Sequence, residues 1–286
     1  MIYIFTALYC EAHIFIKHFN LIKDQESTWY QLFFNETAGI RLAITGVGEI
    51  AAAAVVGSVC SLYKPTQSDL LLNVGICAHT TKSDGIFLCN KIMEKATGRT
   101  FYPDMLYCHN FDESTIVTGM QPYHSNNDNA QMPADTLKET LYDMEAAAVY
   151  QTGIHFFGPH QMIFLKIVSD KGAVEDISKE RTALLMEKYK DCIFDYIRQI
   201  SAITQKAGYR KSRLCQEEET FIETFCKDLH CSKAMEDSMK QYIQYLTLSK
   251  KDYISVIQEM YDKKLLPCKD KKEGKRRFEE FKRKLF

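Results

Sequence analysis

Leu141–Gly153, with the sequence LYDMEAAAVYQTG, is the stretch from which the fold of this chain can be read. Alanine is the best helix former and glycine is a common stop, so the stretch predicts a short helix from about Asp143 to Thr152. Alanines at 146–148 make this helix thin, so other backbone can approach it closely. The carboxylate among these apolar residues, Glu145, is then mostly out of water and needs partners. They are either backbone N–H groups or a lysine of the protein, or the hydroxyls of a bound ligand.

The composition is that of a globular protein. The chain has 286 residues, of which 46% are hydrophobic and 26% charged, and a formal net charge of −1. This is enough for one large core and an additional unit. No apolar run reaches the ~18 residues of a membrane span. The first residues, 1–7, are typical of a strand and not of a signal peptide, so a cytoplasmic location is expected.

The ten cysteines, without an export signal, predict free thiols in a reducing compartment. Cys226, His230 and Cys231 are close in sequence but offer at most three metal ligands. A structural zinc site needs four, so we interpret them as core or surface residues and expect no metal.

The near-neutral net charge of the chain is the sum of two parts whose net charges have opposite signs. From Lys206 onward the chain has 20 Lys+Arg and 14 Asp+Glu, whereas the part before it has 16 and 23. The segment 208–219, GYRKSRLCQEEE, is typical of a linker or a domain edge. We therefore predict an α/β domain over residues 1–208 and a small helical domain over residues 209–286.

Strand and helix patterns alternate in the first part, which predicts a layered α/β domain with a mostly parallel sheet. The helix Ile177–Lys206 is predicted to be long and amphipathic. The irregular residues 98–136 predict a binding loop or lid, with a short strand at Thr115–Thr118. The other predicted strands are Ile2–Leu8, Thr28–Asn35, Ile40–Thr45, Asp69–Gly75, Ser83–Lys91 and Gln161–Val168. Of these, Thr28–Asn35 and Ile40–Thr45 are expected to pair as a hairpin through Glu36–Gly39.

Two further acids stand where predicted strands end. Glu11 follows the first strand, and Asp170 follows the strand Gln161–Val168. Each can be explained singly, Glu11 as a first-turn acid of a helix and Asp170 as a turn or cap residue. Because the carboxyl ends of parallel strands meet at one edge of a sheet, however, Glu11, Glu145 and Asp170 are predicted to line one crevice.

Five segments together resemble the 5′-methylthioadenosine/S-adenosylhomocysteine nucleosidases of the purine nucleoside and uridine phosphorylase superfamily. They are ALYCEA (7–12), TGVGEIAAAA (45–54), LLLNVG (70–75), YDMEAAAVY (142–150) and FLKIVSDKG (164–172). The resemblance covers about residues 1–205. It implies a three-layer fold with a mixed central sheet between helices, a small-molecule nucleoside as substrate, and a homodimer or higher homo-oligomer. No cofactor is expected.

The resemblance also implies the roles of the three acids. Asp170 matches the acid that protonates or hydrogen-bonds the leaving purine at N7, and Ser169 supports it. Glu145 matches the carboxylate that holds the ribose hydroxyls, with Met144 packing beside the sugar. Glu11 matches the residue that positions the attacking water.

Further contacts follow from the same resemblance. Thr45 and the backbone of Val47 and Gly48 match the wall near the nucleophile, and Tyr123 matches a segment that stacks on the base. Chemically, an acid at the leaving base and a carboxylate that orients water on the opposite face form the two-sided arrangement of an inverting glycosidase. Positioned proton transfer of this kind contributes ~10²–10⁴-fold in rate.

The chain departs from the family pattern after the central strand. Gly75–His79 has the sequence GICAH, where the family has Gly-Ser-Ala-Gly-Gly. A hydroxyl and two glycines are lost beside the expected site, which leaves the identity of the substrate open. His79 is either a new ligand contact or a polar loop residue, and the loop residue is favoured because loops are mostly exposed.

The same region bears on the choice between water and phosphate. Hexameric phosphorylases of the superfamily place an Arg before, and a Ser after, the Val-Gly of this strand, and this chain has Asn73 and Ile76 there. Arginine is the natural bidentate clamp for phosphate, so its loss favours hydrolysis. Arg41, Arg99, Arg181 or an Arg of a partner subunit are the alternatives for phosphate binding.

Residues 214–286 repeat helical patterns that the resemblance does not reach, and they predict a bundle of three or four helices. Its end, KDKKEGKRRFEEFKRKLF (269–286), holds nine basic and four acidic residues. A solvated helix face is the favoured interpretation, so no nucleic-acid partner is expected. A contact with nucleic acid or an acidic protein is the alternative, and salt-dependent binding would reveal it.

The sequence therefore predicts an enzyme that hydrolyses the N-glycosidic bond of a purine-type nucleoside related to methylthioadenosine or S-adenosylhomocysteine. Phosphorolysis by the same fold is one alternative. The other is a catalytically degenerate nucleoside-binding module whose helical tail engages a partner.

Overall fold

The computed structural model describes residues 1–25, 29–124, 139–172, 178–211, 216–248 and 251–285. The chain divides into two compact units, Met1–Gly208 and Tyr209–Phe286. Three predicted features lie wholly or partly outside the described residues. They are the start of the hairpin at Thr28, the polar part of the long loop at 125–138 and the start of the long helix at Ile177.

Strands and helices alternate along the first unit. Its strands are β1 (Ile2–Thr6), β2 (Ile22–Lys23), β3 (Gln31–Asn35), β4 (Ile40–Ile44), β5 (Leu70–His79), β6 (Ile86–Glu94), β7 (Thr100–Phe101), β8 (Asp112–Thr118), β9 (Leu141–Asp143) and β10 (Met162–Asp170). Its helices are α1 (Tyr9–His18), α2 (Glu49–Tyr63), α3 (Ala146–Gly153) and α4 (Lys179–Lys211), with a 3₁₀ turn at Pro159–Gln161.

The strands form a mixed sheet in the order β10-β6-β8-β9-β5-β1-β4-β3-β2. Strands β4, β1, β5 and β10 run parallel to one another, with Ile4 level with Leu42 and Leu72. Because β10 pairs with β5 as well as with β6, the five strands from β5 through β9, β8, β6 and β10 close into a ring. The carboxyl ends of β1, β5 and β10 therefore meet at one edge.

The sheet is buried on both faces between two layers of helices. On one face, Val55 and Val56 of α2 and Val149 of α3 pack on Tyr3 and Phe5. On the other, apolar residues of α1 and α4 pack on the alternate strand positions, with side chains such as Ile4, Phe15, Leu72, Ile193 and Ile197 in one cluster. Continuous apolar runs are what a parallel strand needs when both of its faces are covered. The predicted three-layer α/β fold is confirmed.

Two boundaries differ from the sequence prediction. The predicted helix Asp143–Thr152 begins only at Ala146, and Leu141–Asp143 forms β9, which pairs with β8 and β5. The central strand does not stop at Gly75 but continues to His79. In both cases pairing with neighbouring strands extends the sheet, an interaction between distant segments that local propensity does not contain.

The irregular stretch predicted at 98–136 also contains more sheet than expected. Strand β8 spans Asp112–Thr118 and pairs in parallel with β6. The two residues of β7 pair with the end of β6 in antiparallel orientation. The predicted hairpin is confirmed, since β3 and β4 are antiparallel with Phe33 opposite Leu42.

The second unit is helical, as predicted. Its helices are α5 (Gln216–Asp228), α6 (Lys233–Leu248), α7 (Tyr253–Asp262) and α8 (Lys271–Leu285). They share a core that includes Phe225, Met239, Ile257 and Phe281. Helix α8 comes so close to the end of α5 that a Cβ at Gly274 would lie 1.7 Å from the carbonyl oxygen of Leu229.

The described cysteines are free thiols. Cys226 and Cys231 flank the end of α5, and His230 Nε2 lies 2.9 Å from the backbone oxygen of Cys268. No group of three or more His, Cys, Asp or Glu side chains in the described part of the chain is arranged to hold a metal ion. Nor does any helix described here have the length and apolarity required to cross a membrane.

Candidate active site

A cavity of about 320 Å³ opens at the edge of the sheet where β1, β5 and β10 end. This is the size of a pocket for a small organic ligand. The acids Glu11, Glu145 and Asp170 all line it. They come from three separate parts of the sequence, and the parallel strands bring them together.

Glu11 lies in the first turn of α1 and is 1% exposed. Its Oε2 accepts hydrogen bonds of 2.9 Å from the backbone N–H groups of Ala7 and Leu8, and its Oε1 accepts one of 2.9 Å from Ile76. Burial raises the pKa of Glu11, and these three hydrogen bonds and the charge of Lys166 oppose that rise. The carboxylate is thus fixed in one orientation by the ends of two neighbouring strands.

Gly75, on β5, makes room for this carboxylate. A Cβ at Gly75 would lie 3.0 Å from Glu11 Oε1. A Cβ contact of this length is tighter than side chains ordinarily make. Glycine is therefore favoured at position 75 by the space that Glu11 occupies, and not by the backbone conformation of Gly75.

Glu145 immediately precedes α3 and is 8% exposed. Its Oε1 accepts a 2.8 Å hydrogen bond from the N–H of Gly48, in the turn before α2. Gly48 has a φ of +100°, which a side chain rarely tolerates. Burial, and next the negative charge of Asp143, raise the pKa of Glu145 to about 7, against the opposing charge of Lys166.

Asp170 ends β10 and is 4% exposed. The Ser169 hydroxyl donates a 2.6 Å hydrogen bond to Asp170 Oδ2, and the N–H of Gly172 donates one of 2.7 Å to Oδ1. Ser169 also lines the cavity and is itself held near the backbone oxygen of Cys77, 3.1 Å away. The pair Ser169–Asp170 is therefore oriented by backbone on both sides.

The other residues expected at the site divide into two groups. Met144 and Tyr123 line the cavity, and the Tyr123 ring stacks on Tyr142 with centroids 4.0 Å apart. Thr45 and Gly48 do not line it. The Thr45 hydroxyl lies 2.7 Å from the backbone oxygen of Gly46 and 3.2 Å from that of Thr6, so it holds the turn together instead.

The expectation that His79 is an exposed loop residue is wrong. His79 is fully buried at the end of β5, and its Nδ1 accepts hydrogen bonds from the N–H groups of Thr81 and Lys82, 2.9 and 3.0 Å away. Burial, and then the charge of Lys82, lower its pKa. Because β5 continues past Gly75, His79 lies in the interior. There the His79 ring orders the turn that follows the strand.

None of the three candidate phosphate-binding arginines lines the cavity. Arg41 forms a 2.8 Å ion pair with Glu36 and lies over the Tyr63 ring, and Arg99 is exposed. Arg181 Nη2 donates a 2.7 Å hydrogen bond to the backbone oxygen of Ser169. It thereby supports the strand end that carries Asp170.

Solved structures with the same architecture as the first unit are MTA/SAH (5′-methylthioadenosine/S-adenosylhomocysteine) nucleosidases and a futalosine hydrolase. The Streptococcus pneumoniae MTA/SAH nucleosidase, in complex with 8-aminoadenine, has a TM-score of 0.56 at 16% identity, over 69% of this chain and 99% of that one. The Colwellia psychrerythraea enzyme, in complex with adenine, has a TM-score of 0.58 at 15% identity, over 70% and 95%.

The futalosine hydrolase mutant of Helicobacter pylori has a TM-score of 0.55 at 12% identity, over 68% of this chain and 98% of that chain. No family's sequence model matches the chain, and no curated protein matches it in sequence. The chain has the MTA/SAH nucleosidase fold. At these identities the likeness establishes the fold, and the chemistry must be argued from the site.

Within this nucleosidase fold, sequence reasoning missed a buried ion pair next to the acids. Lys166, on β10, is 1% exposed and lies 2.7 Å from Oδ2 of Asp143, which lines the cavity. Burial alone would lower the pKa of Lys166, but the charges of Asp143 and Glu145 raise it above its ordinary value. The signal was present, since a lysine inside the apolar strand QMIFLKIV requires a buried carboxylate as a partner.

Asp143 is itself fixed by two further donors. The Thr118 hydroxyl is 2.7 Å from its Oδ1, and the N–H of Ala146 is 2.9 Å from its Oδ2. The cavity region of the nucleosidase fold thus contains four carboxyl groups and one buried lysine among the described residues. Such a field favours a ligand that develops positive charge and opposes the entry of an anion.

Proposed function

We propose that the α/β unit hydrolyses the N-glycosidic bond of a purine nucleoside, releasing the free base and the sugar. The observation that carries the proposal is the convergence of Glu11, Glu145 and Asp170 on one cavity of about 320 Å³. A cleavage of this kind passes through a sugar with cationic character and a base that takes up a proton. Three carboxyl groups around one ligand supply what both parts of that process need.

The environment of each acid supports a different role. Asp170, held by Ser169 and Gly172, donates a proton or a hydrogen bond to the leaving base. Among the described residues Glu145 has one hydrogen-bond donor, Gly48 N–H, which leaves its other oxygen for the sugar hydroxyls. Glu11 lies in the wall formed by β1 and β5, where it orients and deprotonates the attacking water.

Two features favour water over phosphate as the nucleophile. The carboxylate of Glu11 already occupies three converging N–H groups, of Ala7, Leu8 and Ile76, which would otherwise form an anion-binding nest. The carboxyl group of Glu145 lies close enough to interact with both Glu11 and Asp143. A phosphate dianion would have to enter beside these carboxylates, without an arginine among the described residues of the cavity wall.

A methylthioadenosine- or S-adenosylhomocysteine-like nucleoside is the substrate we propose. The support comes from the structural neighbours that are named for these compounds and from the quoted segments of sequence that resemble them. The base would lie against the stacked rings of Tyr123 and Tyr142, beside Asp170. Apolar residues such as Ile76 and Ala78 also line the cavity.

The direct test is to incubate the protein with methylthioadenosine, S-adenosylhomocysteine, adenosine and inosine and to measure free base and reducing sugar, with and without phosphate. Release without phosphate is expected. Release that requires phosphate would identify a phosphorylase. Tight binding without release, unchanged in Asp170→Asn, would instead identify a nucleoside-binding module.

The unit is also proposed to form a homodimer in the cytoplasm. Val47, which lines the cavity, is 52% exposed, and Ile50, in the first turn of α2, is 83% exposed. Exposed apolar side chains beside a ligand cavity fit a surface that a second copy covers. Sedimentation velocity should give a dimer, and Ile50→Lys should shift it to the monomer.

A further inference from the structure

Helix α8 has an apolar face and a basic face. Phe278 and Phe281 are buried in the core of the second unit. At 100° per residue, Lys272 and Arg283 project from the opposite side and Lys275 from its flank, and all three are exposed. The helix is therefore held by its aromatic face and presents its basic face to solvent.

Most other charges of α8 are paired. Arg277 pairs with Glu280 at 2.7 Å, and Lys284 with Glu259 at 2.9 Å. The acid on the exposed face, Glu279, is paired with Lys282 at 2.5 Å.

The exposed basic face is different. Lys272, Lys275 and Arg283 form no ion pair within the described residues. Arg276, between them, has a 3.5 Å contact with Glu273 but a side chain that is 63% exposed. We call these four residues, Lys272, Lys275, Arg276 and Arg283, the basic stripe.

The dimensions of the basic stripe fit a polyphosphate. Lys272 and Arg283 are separated by about 16 Å along the axis, at ~1.5 Å per residue. Double-stranded DNA carries one phosphate per ~1.7 Å of its axis, so roughly nine phosphates lie within that length. A straight helix can therefore bring four cations to one stretch of backbone.

The residue types on α8 also favour a nucleic acid over a protein or a membrane as the partner of the basic stripe. A protein interface needs an apolar or aromatic centre, and an amphipathic membrane helix inserts its aromatic residues. Here the aromatic residues Phe278 and Phe281 are already buried in the protein's own core. Contacts to a phosphate backbone require only Lys and Arg.

We propose that the basic stripe binds the phosphate backbone of a nucleic acid, without reading its sequence. The inference does not depend on the chemistry of the first unit. It revises the earlier expectation of a solvated helix face, because the cations proved to be aligned and largely unpaired.

The test is fluorescence anisotropy of the full chain with a labelled DNA duplex of about 25 base pairs and an RNA duplex of the same length, at several salt concentrations. Four phosphate contacts predict a slope of log affinity against log salt of about −3.6, or about a 150-fold loss between ~50 and ~200 mM salt. Unrelated sequences should bind equally well.

The diagnostic variant is Lys272→Glu/Lys275→Glu/Arg283→Glu, which should bring the slope to about −1 and weaken binding at least ~10-fold at low salt. Its matched control is Lys17→Glu/Lys23→Glu/Lys64→Glu, which changes the net charge equally on exposed residues of the first unit. A glutamine version of the stripe variant removes the same three phosphate contacts without adding negative charge, so it should also give a slope of about −1. Circular dichroism checks that each variant retains its helix content.

Three results would overturn the inference. They are no binding to either duplex at ~50 mM salt, equal losses in the stripe variant and its control, and binding to vesicles containing phosphatidylserine but not to duplex. The second result would mean that net charge alone attracts the polymer, and the third that the partner is a lipid surface.

Discussion

At the level of single residues, the carboxyl groups of the cavity differ in what surrounds them. Among the described residues Glu11 accepts three backbone hydrogen bonds and Glu145 accepts one, while a backbone N–H and the Ser169 hydroxyl are among the partners of Asp170. A carboxylate with more donors is better oriented but has fewer free lone pairs for a ligand. Because of these differences, each of the three carboxyl groups can have a separate role in the same cavity.

Replacing Asp170 with asparagine should lower kcat by ~10²–10⁴-fold, because the amide keeps the shape of the side chain but cannot give a proton to the leaving base. KM should change little, since binding of the sugar through Glu145 is unaffected. The control is Asp84→Asn at an exposed position on the same unit. Equal activity of Asp170→Asn and the unmodified protein in base release would exclude Asp170 as the acid.

The pH dependence should report Glu145. Because its pKa is raised to about 7, it is protonated below that pH and cannot accept hydrogen bonds from two sugar hydroxyls. We expect kcat/KM to fall as pH decreases below about 7, and Glu145→Gln to lose this limb of the profile along with most of its activity. A limb that persists unchanged in Glu145→Gln would assign it to another group.

The stability of the protein should also depend on the ionisation of Glu145, but in the opposite direction to kcat/KM. A carboxyl whose folded-state pKa lies above its unfolded value stabilises the protein at low pH, and that contribution is lost as pH rises through about 7. Glu145→Gln should therefore raise Tm at pH 8 more than at pH 5.

At the level of elements, strand β10 has two functions. Its end carries Ser169 and Asp170, and its middle carries Lys166, whose ammonium group neutralises Asp143 and moderates the pKa of Glu11 and Glu145. The strand thus positions the acids and also supplies the buried cation that makes their burial possible.

Lys166→Met should destabilise the first unit by about 3–5 kcal/mol, because Asp143 is left as a buried charge without its cation. Chemical denaturation followed by fluorescence measures this. The comparison is Lys188→Met, which breaks the exposed pair with Asp84 and should cost less than about 1 kcal/mol. Similar losses for both variants would contradict a special role of burial at Lys166.

In the second unit, the contact between α8 and the end of α5 depends on Gly274. Elsewhere in a helix, Gly→Ala stabilises by roughly 1 kcal/mol. Here the added Cβ would lie 1.7 Å from Leu229 O, so Gly274→Ala should instead destabilise the unit by about 3 kcal/mol as the helices separate. Thermal unfolding, with Lys275→Ala as the control, tests this, and a rise in Tm would refute the close contact.

At the level of the whole molecule, each unit has a core of its own. The clusters around the sheet contain no residue of the second unit, and the cluster of the second unit begins at Phe221 in the described residues. Units with separate cores can unfold separately. The two proposed functions, cleavage in the first unit and polyanion binding in the second, can then be measured independently.

Calorimetry of the full chain should accordingly show two transitions. A nucleoside analogue at about 100 times its Kd should stabilise only the first unit, by about 2.7 kcal/mol. Gly274→Ala should lower only the other transition, which serves as the control for assignment. One transition that moves as a whole in both experiments would show that the units unfold together.

Much of this architecture follows from local sequence. The apolar runs predicted β1, β5 and β10, because strands buried on both faces must be continuously apolar, and the Ala-rich stretch Leu141–Gly153 predicted one of the helices that cover them. The acids Glu11 and Asp170 could be placed at the sheet edge for the same reason. The end of β5 and the start of α3 could not, since they depend on the pairing of β5 with β9, two segments that are far apart in the chain.

The sequence by itself determined the alternation of strands and helices in the first unit and the position of Glu11 and Asp170 at strand ends, because these depend on the side-chain pattern within a few residues. Only the tertiary structure decided what each acid contacts, that His79 is buried, and that Lys166 meets Asp143 behind the cavity. Burial, pairing and pKa values arise from groups that are distant in sequence and meet only when the sheet closes on itself. Their energies are therefore properties of the folded molecule.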